Sequence, residues 1–236
     1  HFYGGGADGA KHGDLDSALI NANFAMDVHM SAEGANLTCS GCHTADDHQL
    51  AGSRYQAASP SDTKGIDAVG GARATCVSCH GNAPMHDEKL NDHTDVIACQ
   101  TCHIPTYARN GVATKTRWDW SSAGQLNRKK KPQADYDDNN RVTYASQKGD
   151  IQWGENLTPE YAWFNGELTF LAANAVVDET GMVALNHAAG DAQDNTAKVF
   201  PFHRFESTLP YDVSTEQLLP IHLAGRSRSA LWNGYD

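Results

Sequence analysis

The six cysteines stand in three pairs, Cys39 with Cys42, Cys76 with Cys79 and Cys99 with Cys102. Each second cysteine is followed at once by a histidine: His43, His80 or His103. Positions i and i+3 share one face of a helical turn, with β-carbons about 5–6 Å apart. Two thiols placed that way reach the two vinyl groups along one porphyrin edge, while the adjoining histidine turns back to the iron. Cys-x-x-Cys-His is the attachment pattern of c-type haem. A disulfide framework also pairs cysteines, but it gives no reason for a histidine after every second one. Tetrahedral zinc accepts both residue types, yet it usually draws four ligands from two separated pairs, and three identical triplets leave an awkward ligand count. A thioredoxin-like site needs one Cys-x-x-Cys in a βαβ setting. Three covalent haem c groups are therefore expected. They consume every thiol, so no disulfide is expected. Their attachment takes place outside the cytoplasmic membrane, which makes a periplasmic or extracellular location the expectation.

The motifs use three of twelve histidines and leave His1, His12, His29, His48, His86, His93, His187, His203 and His222. Axial ligand identity is the protein's main lever on haem potential: a second histidine closes the iron and favours low-potential electron transfer, whereas methionine raises the potential. Four methionines (Met26, Met30, Met85 and Met182) are outnumbered by the spare histidines, so bis-histidine ligation is expected. His12, His29, His48, His86 and His93 lie among the motifs and are the candidate distal ligands. The ordinary alternative for each is a solvated loop histidine. His48 follows His43 closely, as His86 follows His80, and His93 only just precedes Cys99. So short a hop does not readily carry the chain to the opposite porphyrin face, so these histidines fit neighbouring haems better. His222, in the apolar run LLPIHLAG, is a further candidate. Core or surface roles suffice for His187 and His203.

These residues must be positioned by a chain of 236 residues whose formal net charge is −11. That charge argues against a phosphate-tracking nucleic-acid binder, and no apolar run approaches the roughly 20 residues needed to cross a bilayer. No basic and apolar leader opens the sequence, so an export signal is expected to have been removed or to lie outside it. Residues 1–104 hold every cysteine, nine histidines and a net charge of −8 (5 basic, 13 acidic). Residues 105–236 hold all five tryptophans, no cysteine and a net charge of −3 (13 basic, 16 acidic). Two regions are expected: a multihaem region over 1–104 and a Trp-rich region over 105–236 that packs on the haems without a covalent cofactor.

The expected fold is mainly α with little regular secondary structure, short helices carrying the motifs and haem faces supplying the core. The clearest helix is read over Asp92 to Cys102, with Asn91 or Asp92 as N-cap. A small β-hairpin is read at 161–170, where YAWF and ELTF flank Asn165-Gly166 in a type I′ turn, and GMVAL (181–185) is read as a further strand. The RKKK run at 128–131 reads first as a solvated loop; the alternatives are docking of an acidic partner or attraction of an anionic substrate. Asn36-Leu37-Thr38 and Asn156-Leu157-Thr158 match the weak glycosylation pattern.

Seven stretches together carry a family resemblance: HFYGGGADGAKHGDLD (1–16), DVHM (27–30), CSGCHTADDHQLAGSRY (39–55), CVSCHGNAP (76–84), LNDHTDVIACQTCHIPTYAR (90–109), TRWDWSSAG (116–124) and EYAWFNG (160–166). The chain resembles the octahaem tetrathionate reductase-like multihaem cytochromes, and more distantly the hydroxylamine oxidoreductases. The resemblance implies that His1 closes a fourth haem motif whose two cysteines lie just before this chain. It also implies distal roles for His12, His29, His48, His86, His93 and His222. Family members carry eight haems on a longer chain, and their catalytic haem, with lysine as proximal ligand, has no matching motif here. The resemblance thus implies the C-terminal portion, or one separately built piece, of an octahaem protein, with no catalytic residue in this chain. Electron relay within a reductase of the tetrathionate, nitrite or hydroxylamine class is the leading expectation. The alternative is a non-enzymatic conduit, either a subunit of an extracellular cytochrome wire or a periplasmic shuttle. Redox proteins, an N-terminal segment or further haem-bearing subunits are the expected partners.

Overall fold

The computed structural model describes residues 21–42, 45–46, 49–50, 56–58, 76–109, 111–178 and 180–219. The α-helices among the described residues are four to six residues long. Three of them carry the paired cysteines: α1 (Cys39–Cys42), α2 (Cys76–His80) and α4 (Cys99–His103), with α3 (Glu88–His93) between the last two. The strands begin with three short pieces, β1 (Ala45–Asp46), β2 (Gln49–Leu50) and β3 (Gln56–Ala58). After the third motif come β4 (Thr114–Asp119), β5 (Ala134–Tyr136), β6 (Val142–Ala145) and β7 (Gly149–Gly154). Then follow β8 (Glu160–Phe164), β9 (Glu167–Phe170), β10 (Asn186–Ala188) and β11 (Lys198–Phe202). The last are β12 (Glu206–Thr208), β13 (Tyr211–Asp212) and β14 (Gln217–Leu218).

The expectation of a mainly α fold is therefore wrong: among the described residues, helix accounts for 14% and strand for 29%. Each motif needs only one helical turn to set its thiols, whereas the tryptophan, tyrosine, phenylalanine and threonine of the later sequence fit pleated surfaces. The helix read over Asp92 to Cys102 is two helices. The Asp87 side chain caps α3 through the Lys89 N–H at 2.9 Å. The chain then leaves the helix, because Ile97 bridges Val199 and the Ala98 N–H donates to the Val199 carbonyl at 3.0 Å.

The chain divides into two compact units. The first comprises residues 1–110, 157–172 and 184–203. Its larger sheet runs β10-β9-β3, and β8 pairs separately with β11. The strands read at 161–170 exist, but they do not form a hairpin with each other: β8 and β9 belong to different sheets. A type I′ turn needs positive φ at both central residues, and only Gly166 has it, at 102°. Asn165 instead bonds outward, its N–H to the Ala189 carbonyl at 2.9 Å and its side-chain amide to Asp194 at 3.0 Å. The stretch 181–185 carries no strand, and β10 starts at Asn186. Phe164, Phe200 and Phe202 pack ring against ring at 5.2–5.3 Å between centroids.

The second unit comprises residues 111–156, 173–183 and 204–236. Its sheet has the order β12-β4-β7-β6-β5, parallel only where β12 meets β4. β7 alternates buried Gly149 and Ile151 with exposed Asp150 and Gln152, the period of two expected of a half-covered strand. Ala113, Tyr144, Ile151 and Val177 are its buried hydrophobic residues among those described. Trp118 and Trp120 stack at 4.5 Å, and Lys115 lies over both Trp118 and Trp153 at 5.3 and 5.1 Å.

Candidate haem sites

The first unit contains the described cysteine and histidine candidates. His29 sits in a loop that its own backbone bonds close. The Asp27 carboxylate accepts the N–H groups of His29 and Met30 at 2.9 and 3.1 Å. The His29 carbonyl accepts the Leu37 N–H at 2.8 Å, and the Val28 carbonyl accepts that of Ala35 at 3.0 Å. This Asx turn fixes the backbone from which the imidazole projects. The ring meets His80, at the end of the second motif, with centroids 6.1 Å apart and planes 66° apart. Two imidazoles that ligate one metal from opposite sides, each nitrogen about 2.0–2.1 Å from it, also hold their centroids about 6 Å apart.

The third motif is held differently. The Val199 carbonyl on β11 accepts both the Ala98 N–H at 3.0 Å and the Thr101 hydroxyl at 2.7 Å. The Val199 N–H donates to Val96 at 2.8 Å, and the Lys198 ammonium caps the Thr94 carbonyl. One strand edge thus pins the turn that carries Cys99, Cys102 and His103. Tyr107, just beyond, packs on the His203 ring at 5.2 Å. Burial, and then the charge of Glu160, push the Tyr107 phenol above its ordinary range.

His86, His93 and His103 are exposed, and their side chains make no ring contact or ion pair among the described residues. His187 lies exposed on β10. His1, His12, His43, His48 and His222 lie outside the described residues. Two positioning groups escaped the sequence reading. Asp27 was legible, since Asp two residues before a constrained position is an Asx-turn signal. The Thr101–Val199 anchor was not, because nothing local announces a contact between residues so far apart in the chain.

The donor set and its surroundings fit haem. Cys39, Cys42, Cys99 and Cys102 carry unbridged thiols. Val77 inside the second motif, Leu90 on α3 and Val96 before the third motif stand 44%, 47% and 48% exposed. The buried hydrophobic residues described in this unit are Ala22, Ala98, Phe164 and Ala197, of which only Phe164 is large. An apolar rim beside thiols and imidazoles, with one large buried hydrophobic side chain among the described residues, fits a surface that a porphyrin face would cover.

Comparison with known proteins decides the family. The crystal structure of an octahaem cytochrome c from Shewanella oneidensis superposes with a TM-score of 0.80 at 34% identity, covering 100% of this chain and 49% of that one. Residues 115–236 match the family model for bacterial cytochrome c. The chain belongs to the bacterial cytochrome c family, and its fold is similar to that of the octahaem protein. This cytochrome spans about half the length of that neighbour, and no curated protein matches it. Membership makes covalently bound haem c its cofactor and haem-based electron transfer its chemistry. The stretch matched by the family model contains no cysteine, so the kinship reaches well beyond the attachment motifs. Among the described residues, no helix is long and apolar enough to cross a membrane.

Proposed function

We propose that this cytochrome is the electron-relay portion of an octahaem reductase of the tetrathionate, nitrite or hydroxylamine class, working in the periplasm or outside the cell. The observation that carries the reading is the approach of His29 to His80 beside Cys76 and Cys79. His80 and His29, fifty-one residues apart, would together hold the iron of that haem, His80 as the ligand of its attachment motif and His29 as the second imidazole. A site closed by two imidazoles binds no substrate, so its role is to pass electrons. Bound haem supplies a one-electron iron couple. The chain's residues supply attachment through Cys39, Cys42, Cys76, Cys79, Cys99 and Cys102, and proximal imidazoles from His43, His80 and His103. Three haems attach within residues 1–104, a fourth is ligated through His1, and residues 105–236 carry none. His12, His48, His86, His93 and His222 are the remaining distal candidates.

The test is a His29→Ala variant of the haem-loaded protein, followed by electron paramagnetic resonance. One low-spin signal should disappear and a high-spin signal of equal intensity replace it, with the total haem count unchanged. An unaltered low-spin envelope would overturn the assignment. A high-spin, ligand-accessible haem in the wild-type chain would overturn the purely relaying role.

A further inference from the structure

The RKKK run is not a loose loop. Asn127 and Lys131 close a tight turn: the Asn127 N–H donates to the Lys131 carbonyl at 2.9 Å, and the Lys130 N–H donates to the Asn127 carbonyl at 2.8 Å. The Asn127 side-chain oxygen accepts the N–H groups of Lys129 and Lys131 at 2.9 and 3.1 Å. Lys130 takes φ of 57°, and Leu126 bridges Pro132 across the neck. Below the neck lies Ser146, 1% exposed, whose hydroxyl donates to the Gln125 carbonyl at 2.5 Å and accepts the Gln133 N–H at 2.8 Å. The loop is thus clamped at its tip and at its base.

Arg128, Lys129, Lys130 and Lys131 are all exposed, and none has an ion-pair partner among the described residues. Other cations of the same unit are engaged. Arg141 pairs with Asp137 at 2.7 Å and Glu155 at 2.6 Å, Arg204 pairs with Glu206 at 2.8 Å, and Lys115 and Lys148 lie over Trp118. Four charges with no ion-pair partner among the described residues, held at one tight turn, make a local positive field on a chain whose net charge is −11. Preorganisation removes the ordering cost that a flexible basic segment would incur on binding.

We propose that the Arg128–Lys131 turn is a docking surface for the acidic face of a redox partner protein. The proposal rests on the electron-transfer reading. Charge complementarity of this kind raises the rate of encounter more than the final affinity, which suits a partner that must leave after each electron.

The sign of a salt effect tests it. Each productive encounter with reduced flavodoxin, an acidic protein, passes one electron to a ferric haem of the holoprotein. If the overall charge of this chain governed approach, two negative proteins would react faster as salt screened them. Docking at the turn predicts the reverse: the second-order rate falls with ionic strength. Replacing all four cations by glutamine should slow the reaction about tenfold at low salt and abolish that fall. Reaction with a basic cytochrome c, drawn by the net negative charge, should not slow in the variant. A flavodoxin rate that rises with salt in the wild type, or one untouched by the variant, would overturn the proposal. So would cation-dependent binding to phosphatidylglycerol vesicles without any effect on the flavodoxin rate, which would point to a membrane surface. Reduction by uncharged lumiflavin separates the two failures. Normal lumiflavin kinetics with a wrong salt sign would sink the docking alone, and no reduction by either donor would sink the electron-transfer reading as well.

Discussion

At the scale of single residues, the loop that presents His29 is built with almost no spare room. A β-carbon added at Gly34 would lie 2.0 Å from the Val28 carbonyl oxygen, the group that accepts the Ala35 N–H. Gly34→Ala should therefore displace the His29 backbone and reproduce part of the His29→Ala spectrum without touching a ligand. Low-spin spectra identical to wild type would show that the loop has slack. Thr101 offers a second single-residue test. Thr101→Val removes one hydroxyl from the Val199 carbonyl, which keeps the Ala98 N–H, and should cost about 1 kcal/mol in denaturant unfolding. Thr101→Ser should restore most of that loss. Equal stability of the three proteins would remove the hydroxyl from the account of how the third motif is held.

At the scale of elements, turns are held by short side chains rather than by regular structure. The carboxyls of Asp119, Asp178, Asp194 and Asp212 are lowered first by a hydroxyl two residues on, and that of Asp137 first by the Arg141 N–H. A lowered native pKa adds stability that is complete above the unfolded value of about 3.9 and is lost as pH falls through the native value. Unfolding midpoints should therefore drop below about pH 4. Asp137→Asn should flatten part of that drop, and an unchanged pH profile would dismiss its contribution. The β6–β7 turn gives a paired test. Gly149 has φ of 78°, and its added β-carbon would lie 1.9 Å from the Asp119 carbonyl oxygen; Gly124 has φ of 100° and open space. Gly124→Ala isolates backbone strain, of order 1–3 kcal/mol. Gly149→Ala should cost clearly more, by thermal denaturation. The element scale is also where sequence reading ran out. The bounds of β8 and β9 follow from local pattern, but their partners do not, because Asn165 spends its bonds on Ala189 and Asp194. The motif turns were legible because the chemistry fixes their spacing, whereas the sheet around them depends on strands far away along the chain.

At the scale of the whole molecule, the two units differ in what fills them. The second has a five-stranded sheet with buried Tyr144 and Ile151; among the described residues of the first, Phe164 is the one large buried hydrophobic side chain. Replacing all six cysteines by serine should therefore leave slow amide exchange in β4 and β7 and abolish it around α2 and α4, as read by mass spectrometry. Protection surviving around those helices would show that polypeptide contacts suffice there. The hold of Val199 on the third motif spans 98 residues of sequence. During synthesis, Cys99 and Cys102 therefore emerge well ahead of the strand that will pin them. Covalent maturation of that turn can finish while it is still slack, and the late arrival of β11 then locks an already decorated segment. A chain truncated after residue 190 should still acquire its full complement of thioether bonds.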